Sequence, residues 1–232
     1  MSAHDSKGRI LFVLTSNSEL GDTGKKTGYY LSEVTHPLEV LTEAGYTVDF
    51  VSPQGGPAPM DPGSRDMDDE ANQNFLGSEQ WQRAIDNTRQ PEDINPEDYD
   101  AIFFAGGHGT MWDLPGSDAL AELTAKIYEN DGVVGAVCHG PAGLVNVKLS
   151  NGEYLVKDKH VASFTDDEEK TVELDSVVPF LLESKLTERG AKHSKADVFQ
   201  PHVATDGRLV TGQNPQSAKA VGEAIREVLE AG

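Results

Sequence analysis

One cysteine followed directly by a histidine is the pair of residues in this sequence best suited to chemistry. Cys138 is the only cysteine among 232 residues, and His139 comes next. The apolar run Val133–Val137 precedes the pair, and the small residues and proline of Gly140–Gly143 follow it. A lone cysteine is either a buried small hydrophobe or a nucleophile. The small neighbours favour the nucleophile, because a reactive side chain on a sharp strand-to-helix turn needs room around it.

A helix beginning after Cys138 would direct its N-terminal amides and the positive end of its dipole at the sulfur. We expect this to favour the thiolate, and the same amides could hold an oxyanion. The single cysteine excludes an internal disulfide and a multi-cysteine zinc site. The histidines lack a spacing such as H-E-x-x-H, so no metal is predicted.

Apolar runs and helical periodicities alternate along the chain and predict the elements that must position this pair. The predicted strands are Arg9–Leu14, Thr47–Val51, Ala101–Phe104 and Val133–Val137. One predicted helix contains Leu31–Leu41. Three others span Asp118–Asn130, Ser176–Gly190 and Gln216–Ala231. The strands lack polar alternation, which is typical of a parallel sheet buried on both faces. The sequence therefore predicts an α/β fold with a doubly wound, mostly parallel sheet sandwiched by helices.

The C-terminal part adds a hairpin before the last helix. Val203–Thr211 has an Asp-Gly turn between two β-rich arms. The segment 53–96 is polar and weakly periodic, and we interpret it as an insertion or cap within a single domain spanning 1–232 rather than as a second domain.

Polar residues follow three of the predicted strands. They are Thr15–Asn17, the AGGHGT segment Ala105–Thr110, and Cys138–Gly140. Ligands bind beyond the carboxyl ends of the strands in an open parallel sheet. We therefore expect these three segments to form one site.

The formal net charge is −20, from 39 acidic and 19 basic residues. Such a surface repels nucleic acid and anionic membranes, so neither is an expected partner. The first apolar run is too short for a signal peptide, and no run is long enough to span a membrane. We expect a cytoplasmic protein, and adaptation to a salt-rich cytoplasm is a further hypothesis for the acidic surface.

Five separated motifs resemble the DJ-1/PfpI superfamily, and more closely its Hsp31-like branch of glutathione-independent glyoxalases (glyoxalase III). The motifs are TGYYLSEVTHPL (Thr27–Leu38), FFAGGHGTMWDLP (Phe103–Pro115), AVCHGPAGL (Ala136–Leu144), SFTDDEE (Ser163–Glu169) and DGRLVTGQNPQSA (Asp206–Ala218). They occur in the order found in the family. The resemblance implies a flavodoxin-like sheet, related to that of class I glutamine amidotransferases, and a homodimer.

The resemblance also implies which residues act. Cys138 and His139 match the cysteine and histidine of the family's Cys-His-Glu arrangement. Glu169 matches its acidic member, with Glu168 left open as a substitute because the motif alone does not exclude a shift of one residue. Glu33 matches the glutamate that approaches the cysteine. A side chain next to an elbow nucleophile often points away from it, so we expect Glu33 to be a closer partner of the sulfur than His139.

The glycine-rich loop also has a counterpart. Gly107 and His108 lie in the segment that supplies an oxyanion donor and substrate contacts in the family. Two departures stand out. Ser163 occupies a position where relatives often have glycine, and Val198-Phe199 occupies one where they often have Pro-Trp.

The activity implied by the resemblance is the conversion of methylglyoxal to lactate, or of glyoxal to glycolate, without a cofactor. The substrate is a small dicarbonyl aldehyde, which would form a hemithioacetal with the cysteine. Four alternatives remain: a deglycase that repairs early glycation adducts, a cysteine peptidase or amidase, a holdase chaperone that needs no thiol, and a redox sensor that oxidises its one thiol.

Overall fold

The computed structural model describes residues 6–232. His4, which the sequence places in a tail, lies outside these residues. The strands are β1 (Arg9–Val13), β2 (Thr47–Val51), β3 (Ala101–Phe104), β4 (Val133–Val137), β5 (His160–Val161), β6 (Lys192–His193), β7 (Val203–Asp206) and β8 (Leu209–Gly212). The helices are α1 (Leu31–Glu43), α2 (Glu70–Leu76), α3 (Glu79–Asp86), α4 (Thr110–Asp113), α5 (Asp118–Glu129), α6 (Asp166–Thr171), α7 (Leu182–Glu188) and α8 (Ala218–Ala231).

Six strands form the central sheet in the order β2-β1-β3-β4-β8-β7. Neighbouring strands are parallel, except that β7 and β8 form an antiparallel hairpin. This arrangement confirms the predicted α/β fold and its C-terminal hairpin. Strands β5 and β6 form a separate parallel pair that the sequence did not predict.

Both faces of the sheet are covered, as the unbroken apolar runs require. Leu11 and Val13 of β1 belong to one hydrophobic cluster, and Ile10 and Phe12 belong to a second one. Successive side chains of a strand point to opposite faces. The alternation between the two clusters therefore shows one core on each side of the sheet.

Helices α1 and α8 pack closely beside the sheet. A Cβ atom added at Gly222 of α8 would lie 2.8 Å from the Cα atom of Pro37 in α1, so the absence of a side chain at this glycine permits the close approach. The contact fixes α1, whose first turn carries Glu33.

The predicted helix over Ser176–Gly190 is wrong in its first half. Only Leu182–Glu188 is helical. Pro179 lacks an amide donor and disfavours the α conformation of the residue before it, which weakens a helix at this point. At the C-terminus, a 3₁₀ turn over Pro215–Ser217 precedes α8, which begins at Ala218 rather than at the predicted Gln216.

Segment 53–96 contains α2, α3 and several 3₁₀ turns. Two short contacts join it to α1: Thr35 Oγ1 donates to Asn72 at 2.6 Å, and His36 Nε2 lies 2.6 Å from Asp69. Within residues 6–232, no helix is long and apolar enough to cross a membrane.

Candidate active site

Cys138 lies on a strained turn directly after β4. Its φ angle is 60°, a left-handed conformation that costs free energy for any residue with a Cβ atom. Backbone hydrogen bonds hold it there: the Cys138 amide donates to Gly212 at 2.9 Å, and its carbonyl accepts from Phe164 at 2.8 Å. Two neighbouring segments of the fold therefore fix the backbone of this residue.

The residues after Cys138 form a 3₁₀ helix, Gly140–Leu144, rather than a long α-helix. The thiol is 3% exposed. Burial raises its pKa well above the ordinary value, and the nearby carboxylates of Glu33, Glu168 and Glu169 raise it further. The expectation that a helix after Cys138 favours the thiolate is therefore wrong, because burial and these carboxylates oppose the negative sulfur. The sulfur needs a partner to take its proton.

His139 is such a partner. Its Nδ1 atom lies 3.4 Å from the sulfur of Cys138, and its Nε2 atom lies 2.7 Å from Oε2 of Glu169. A side chain next to an elbow nucleophile often points away from it, but His139 reaches the sulfur. Burial, together with the nearby His108, lowers the pKa of His139, which favours the neutral ring.

Glu169 fixes which nitrogen of His139 carries the proton. Burial opposes the ionised form, but the positive charge that His139 and His108 carry when protonated, together with their hydrogen bonds, lowers the pKa of Glu169 to about 2. An ionised carboxylate only accepts hydrogen bonds, so Nε2 of His139 must donate. The lone pair of the neutral ring is then on Nδ1, towards the thiol.

His108 uses the second oxygen of the same carboxylate. Its Nε2 atom lies 2.6 Å from Oε1 of Glu169, and its ring centroid lies 4.0 Å from that of His139. Glu169 therefore orients both histidines. The sequence placed His108 only in the substrate-binding loop, and its bond to Glu169 depends on a contact between distant segments that no local pattern reveals.

Glu168, the other acid left open by the sequence, faces a different part of the molecule. It forms a capping box with Thr165 at the start of α6 and also accepts hydrogen bonds from Phe199, Gln213 and Asn214. The structure thus pairs Glu169, and not Glu168, with His139.

Glu33 lies in the first turn of α1 and is completely buried beside the thiol. Its Oε1 atom accepts a hydrogen bond from the Gly106 amide at 2.8 Å. Its Oε2 atom has no partner of ordinary hydrogen-bond geometry among the described residues. Burial raises the pKa of Glu33 to about 8, although the bond from Gly106 and the contact with Cys138 work in the opposite direction. Glu33 is therefore protonated at neutral pH.

Gly106 allows this approach. A Cβ atom added there would lie 2.4 Å from Oε1 of Glu33 and 2.8 Å from the amide nitrogen of His139. The absence of a side chain brings three elements together at one point: the loop after β3, the first turn of α1 and the turn after β4.

Two backbone amides are available for a developing oxyanion. The amides of Gly107 and His139 donate no hydrogen bond within the described part of the chain. Thr110 joins their two segments, because its hydroxyl contacts the carbonyl of Gly107 at 2.8 Å and that of His139 at 3.0 Å. Fixed amides of this kind stabilise negative charge on oxygen.

A cleft of about 290 Å³ opens over the sulfur. Apolar side chains of Phe164, Val172, Phe199 and Pro215 form part of its wall. Asp61 and Gly63, from segment 53–96, line it as well. No local pattern marks Phe164 as a wall residue, since an aromatic residue in a loop is equally common in cores. Phe199 lies in the Val198-Phe199 segment, where the sequence departs from the family.

Three side chains of the site, His108, His139 and Glu169, also offer atoms that could bind a metal ion. The atoms of His108, His139 and Glu169 lie within 4.8 Å of one another. The 2.6 and 2.7 Å contacts among them are hydrogen-bond distances, and a metal ion bound to all three would have to break both bonds. The arrangement is therefore explained by acid–base chemistry.

Comparison with known proteins agrees with this geometry. The family model described as the DJ-1/PfpI family matches residues 26–228. Glyoxalase 3 of Candida albicans is 32% identical over 96% of this chain and 98% of its own length. Glutathione-independent glyoxalase HSP31 of Saccharomyces cerevisiae is 34% identical over 95% of this chain and 96% of its own length.

Solved structures extend the similarity to three dimensions. Rapid Encystment Protein 24 KDa of Francisella tularensis is 43% identical and superposes with a TM-score of 0.93 over 96% of this chain and 99% of its own. Glyoxalase III of Candida albicans is 31% identical, with a TM-score of 0.88 over 97% of this chain and 98% of its own. The agreement of sequence and fold over nearly the whole length shows that the chain belongs to the DJ-1/PfpI family.

Proposed function

We propose that this protein is a glutathione-independent glyoxalase that converts methylglyoxal to lactate, and glyoxal to glycolate, without a cofactor. The observation that carries the proposal is the Cys138 sulfur held between His139 Nδ1 at 3.4 Å and the buried, protonated Glu33. Relatives that match along nearly the whole chain bear the glyoxalase name. Neither relative is named as a peptidase, a chaperone or a redox sensor.

In the first step, the thiol proton moves to Nδ1 of His139, and the sulfur adds to the aldehyde carbon of the substrate. The amides of Gly107 and His139 hold the carbonyl oxygen as it becomes negative. The carboxyl of Glu33 then gives this oxygen its proton. The products are a neutral hemithioacetal, a Glu33 carboxylate and a protonated His139.

In the second step, the Glu33 carboxylate removes the hydrogen of the former aldehyde carbon as a proton. His139 protonates the neighbouring carbonyl oxygen, which gives an enediol. Glu33 returns a proton to the neighbouring carbon, and His139 takes the hydroxyl proton of the carbon bound to sulfur. The result is a thioester of lactate, with no net gain or loss of electrons.

In the last step, water hydrolyses the thioester. The Glu33 carboxylate removes a proton from the attacking water, and the protonated His139, held by Glu169, gives its proton to the leaving sulfur. Lactate and the free thiol of Cys138 result. Over the whole cycle one water is added to methylglyoxal, so atoms and charge balance.

The test is lactate formation from methylglyoxal in the absence of glutathione and added metal. We expect Cys138→Ala to abolish turnover while the fold is retained, since the covalent adduct cannot form without the sulfur. Cys138→Ser is the matched control for side-chain volume, and we expect it to be inactive as well because a hydroxyl is a much poorer nucleophile. Lactate formation by Cys138→Ala at the wild-type rate would refute the proposal.

The homodimer, the cytoplasmic location and the interpretation of 53–96 as a cap within one domain stay predictions. The cap is supported by the contacts of α2 with α1 and by the presence of Asp61 in the cleft.

A further inference from the structure

Glu168 is a buried acid for which the reaction above has no use. It is 0% exposed, yet it has no ion-pair partner among residues 6–232. Its carboxylate instead accepts five hydrogen bonds from separate parts of the chain. A charge removed from water in this way is costly unless every oxygen is satisfied. The completeness of the network indicates that the carboxylate organises the segments that donate to it.

The two oxygens hold different segments. Oε1 accepts from the amide and hydroxyl of Thr165, at 3.0 and 2.9 Å, and from Gln213 at 3.1 Å. Oε2 accepts from the Phe199 amide at 2.9 Å and from Asn214 at 3.0 Å. The start of α6, the loop around Phe199 and the loop after β8 are thus joined at one carboxylate.

Phe199 is strained where Glu168 holds it. Its φ angle is 58°, in the left-handed region that an aromatic residue rarely adopts. Such a conformation persists only where surrounding contacts impose it, and it often occurs at a ligand site. Phe199 lines the cleft, and its ring lies 6.1 Å from that of Phe164.

The cleft is larger than the smallest substrates require. Its volume of about 290 Å³ approaches the lower limit of clefts that hold drug-sized ligands, about 300 Å³, whereas methylglyoxal has only five non-hydrogen atoms. Phe164 and Phe199 line this cleft together with Cys138, so a substrate bound to the sulfur would leave room for a larger substituent.

We propose that Glu168 is a positioning residue that holds Phe199 as an apolar wall of the cleft, and that this wall selects α-oxoaldehydes with a bulky apolar or aromatic substituent over glyoxal. The inference rests on the proposed function and deepens it. Phe199 contacts the substituent, and Glu168 acts only through the Phe199 backbone.

The first test compares kcat/KM for phenylglyoxal and for glyoxal. In Phe199→Ala, we expect the phenylglyoxal-to-glyoxal ratio to fall on the order of tenfold, mainly through KM for phenylglyoxal, because an apolar contact in a pocket is worth roughly this factor. The kcat/KM for glyoxal should fall less than that for phenylglyoxal, since glyoxal has no substituent to contact the wall. An unchanged ratio would overturn the inference.

The second test places Glu168 in a double-mutant cycle. In Glu168→Gln, the amide nitrogen cannot accept the hydrogen bonds on its side of the group, so we expect the ratio to fall in the same direction. The double variant should be no worse in this ratio than Phe199→Ala alone, because both changes remove the same wall. A purely structural role would lower both activities equally and add to the effect of Phe199→Ala, which would refute the positioning role.

Controls separate this effect from folding. Asp167→Asn alters an adjacent acid on the same helix whose side chain is 61% exposed, and the ratio should stay at the wild-type value. If Glu168→Gln fails to fold, Asn214→Ala takes its place in the cycle, because it removes one of the two donors to Oε2 of Glu168.

Binding of unreactive analogues separates the inference from the proposed function. Calorimetry with α-hydroxyacetophenone and hydroxyacetone, in which a hydroxymethyl group replaces the aldehyde, requires no turnover. We expect the aromatic analogue to bind more tightly to the wild type and to lose this advantage in Phe199→Ala. An absence of turnover with this pattern intact would refute the glyoxalase reaction only, and equal binding of both analogues would refute the wall.

Discussion

Glu33 and Cys138 share a buried space that can hold little negative charge. The carboxylate of Glu33 raises the pKa of the thiol, and burial raises the pKa of Glu33 itself to about 8. The two groups titrate as a pair, because ionisation of one opposes ionisation of the other. At neutral pH the pair is therefore fully protonated, and His139 takes the first proton.

This assignment predicts the pH dependence of the reaction. The acid form of Glu33 is required at the start, so we expect kcat/KM to fall as the pH rises through about 8, where Glu33 loses its proton. Glu33→Gln should lower kcat by about 10²–10⁴-fold, since a proton-transfer group is lost, and should remove this alkaline limb. The measurement is kcat/KM between pH 6 and pH 10 for both proteins. An activity that keeps rising above pH 8 in the wild type would contradict the role of Glu33.

At the scale of elements, the site depends on where the loop after β3 meets the first turn of α1. Gly106 donates its amide to Glu33 at 2.8 Å, and its carbonyl accepts from the Tyr30 amide at 3.1 Å. The loop therefore positions both the carboxyl and the start of the helix that carries it.

Adding one methyl group tests this meeting point. In Gly106→Ala the new Cβ atom would lie 2.4 Å from Oε1 of Glu33, so the carboxyl must move away. A displacement of this order should lower kcat on the order of 10²-fold. Gly116→Ala is the matched control, because nothing lies within 4 Å of a Cβ atom there, and it should keep the wild-type rate. Equal activity of the two variants would show that the position of Glu33 is not critical.

The individual strands and helices show which parts of the fold can be predicted from the sequence. Buried strands have unbroken apolar runs, so the predicted bounds of β1 to β4 agree with the observed ends to within one residue. The predicted helix over 176–190 begins too early, since the observed helix starts at Leu182 and Pro179 disfavours a helical conformation of the residue before it. The pair β5–β6 was missed because two-residue strands have no periodicity.

The site residues also differ in whether a local motif predicts them. Local motifs mark both Cys138 and Glu33, and the structure places the carboxyl group of Glu33 beside the sulfur of Cys138. The orientation of His139, its pairing with Glu169 rather than Glu168, and the wall formed by Phe199 depend on contacts between segments that are far apart in the sequence. A one-residue choice such as Glu168 or Glu169 follows from which face of α6 points to the cleft, and a motif of four adjacent acids does not show this face.

At the scale of the whole molecule, the sheet brings together the segments that follow β3 and β4. These neighbouring strands are parallel, so Gly107 and Cys138 meet at the same edge, as expected for a doubly wound fold. The net charge of −20 is compatible with a small, uncharged dicarbonyl substrate, which an acidic surface does not repel. The salt-adaptation hypothesis for this charge stays a prediction.

The central claim is that the aldehyde carbon of methylglyoxal is bound by Cys138 and leaves as the carboxyl carbon of lactate. The most direct measurement follows methylglyoxal isotopically labelled at the aldehyde carbon by carbon NMR, without glutathione, for the wild type and Cys138→Ala. The label also separates newly formed lactate from any lactate present as an impurity. The account predicts that the label appears in the lactate carboxyl group with the wild type and stays in the hydrated aldehyde with Cys138→Ala. A label that remains in the aldehyde with both proteins, or that reaches the carboxyl group equally with both, would contradict it.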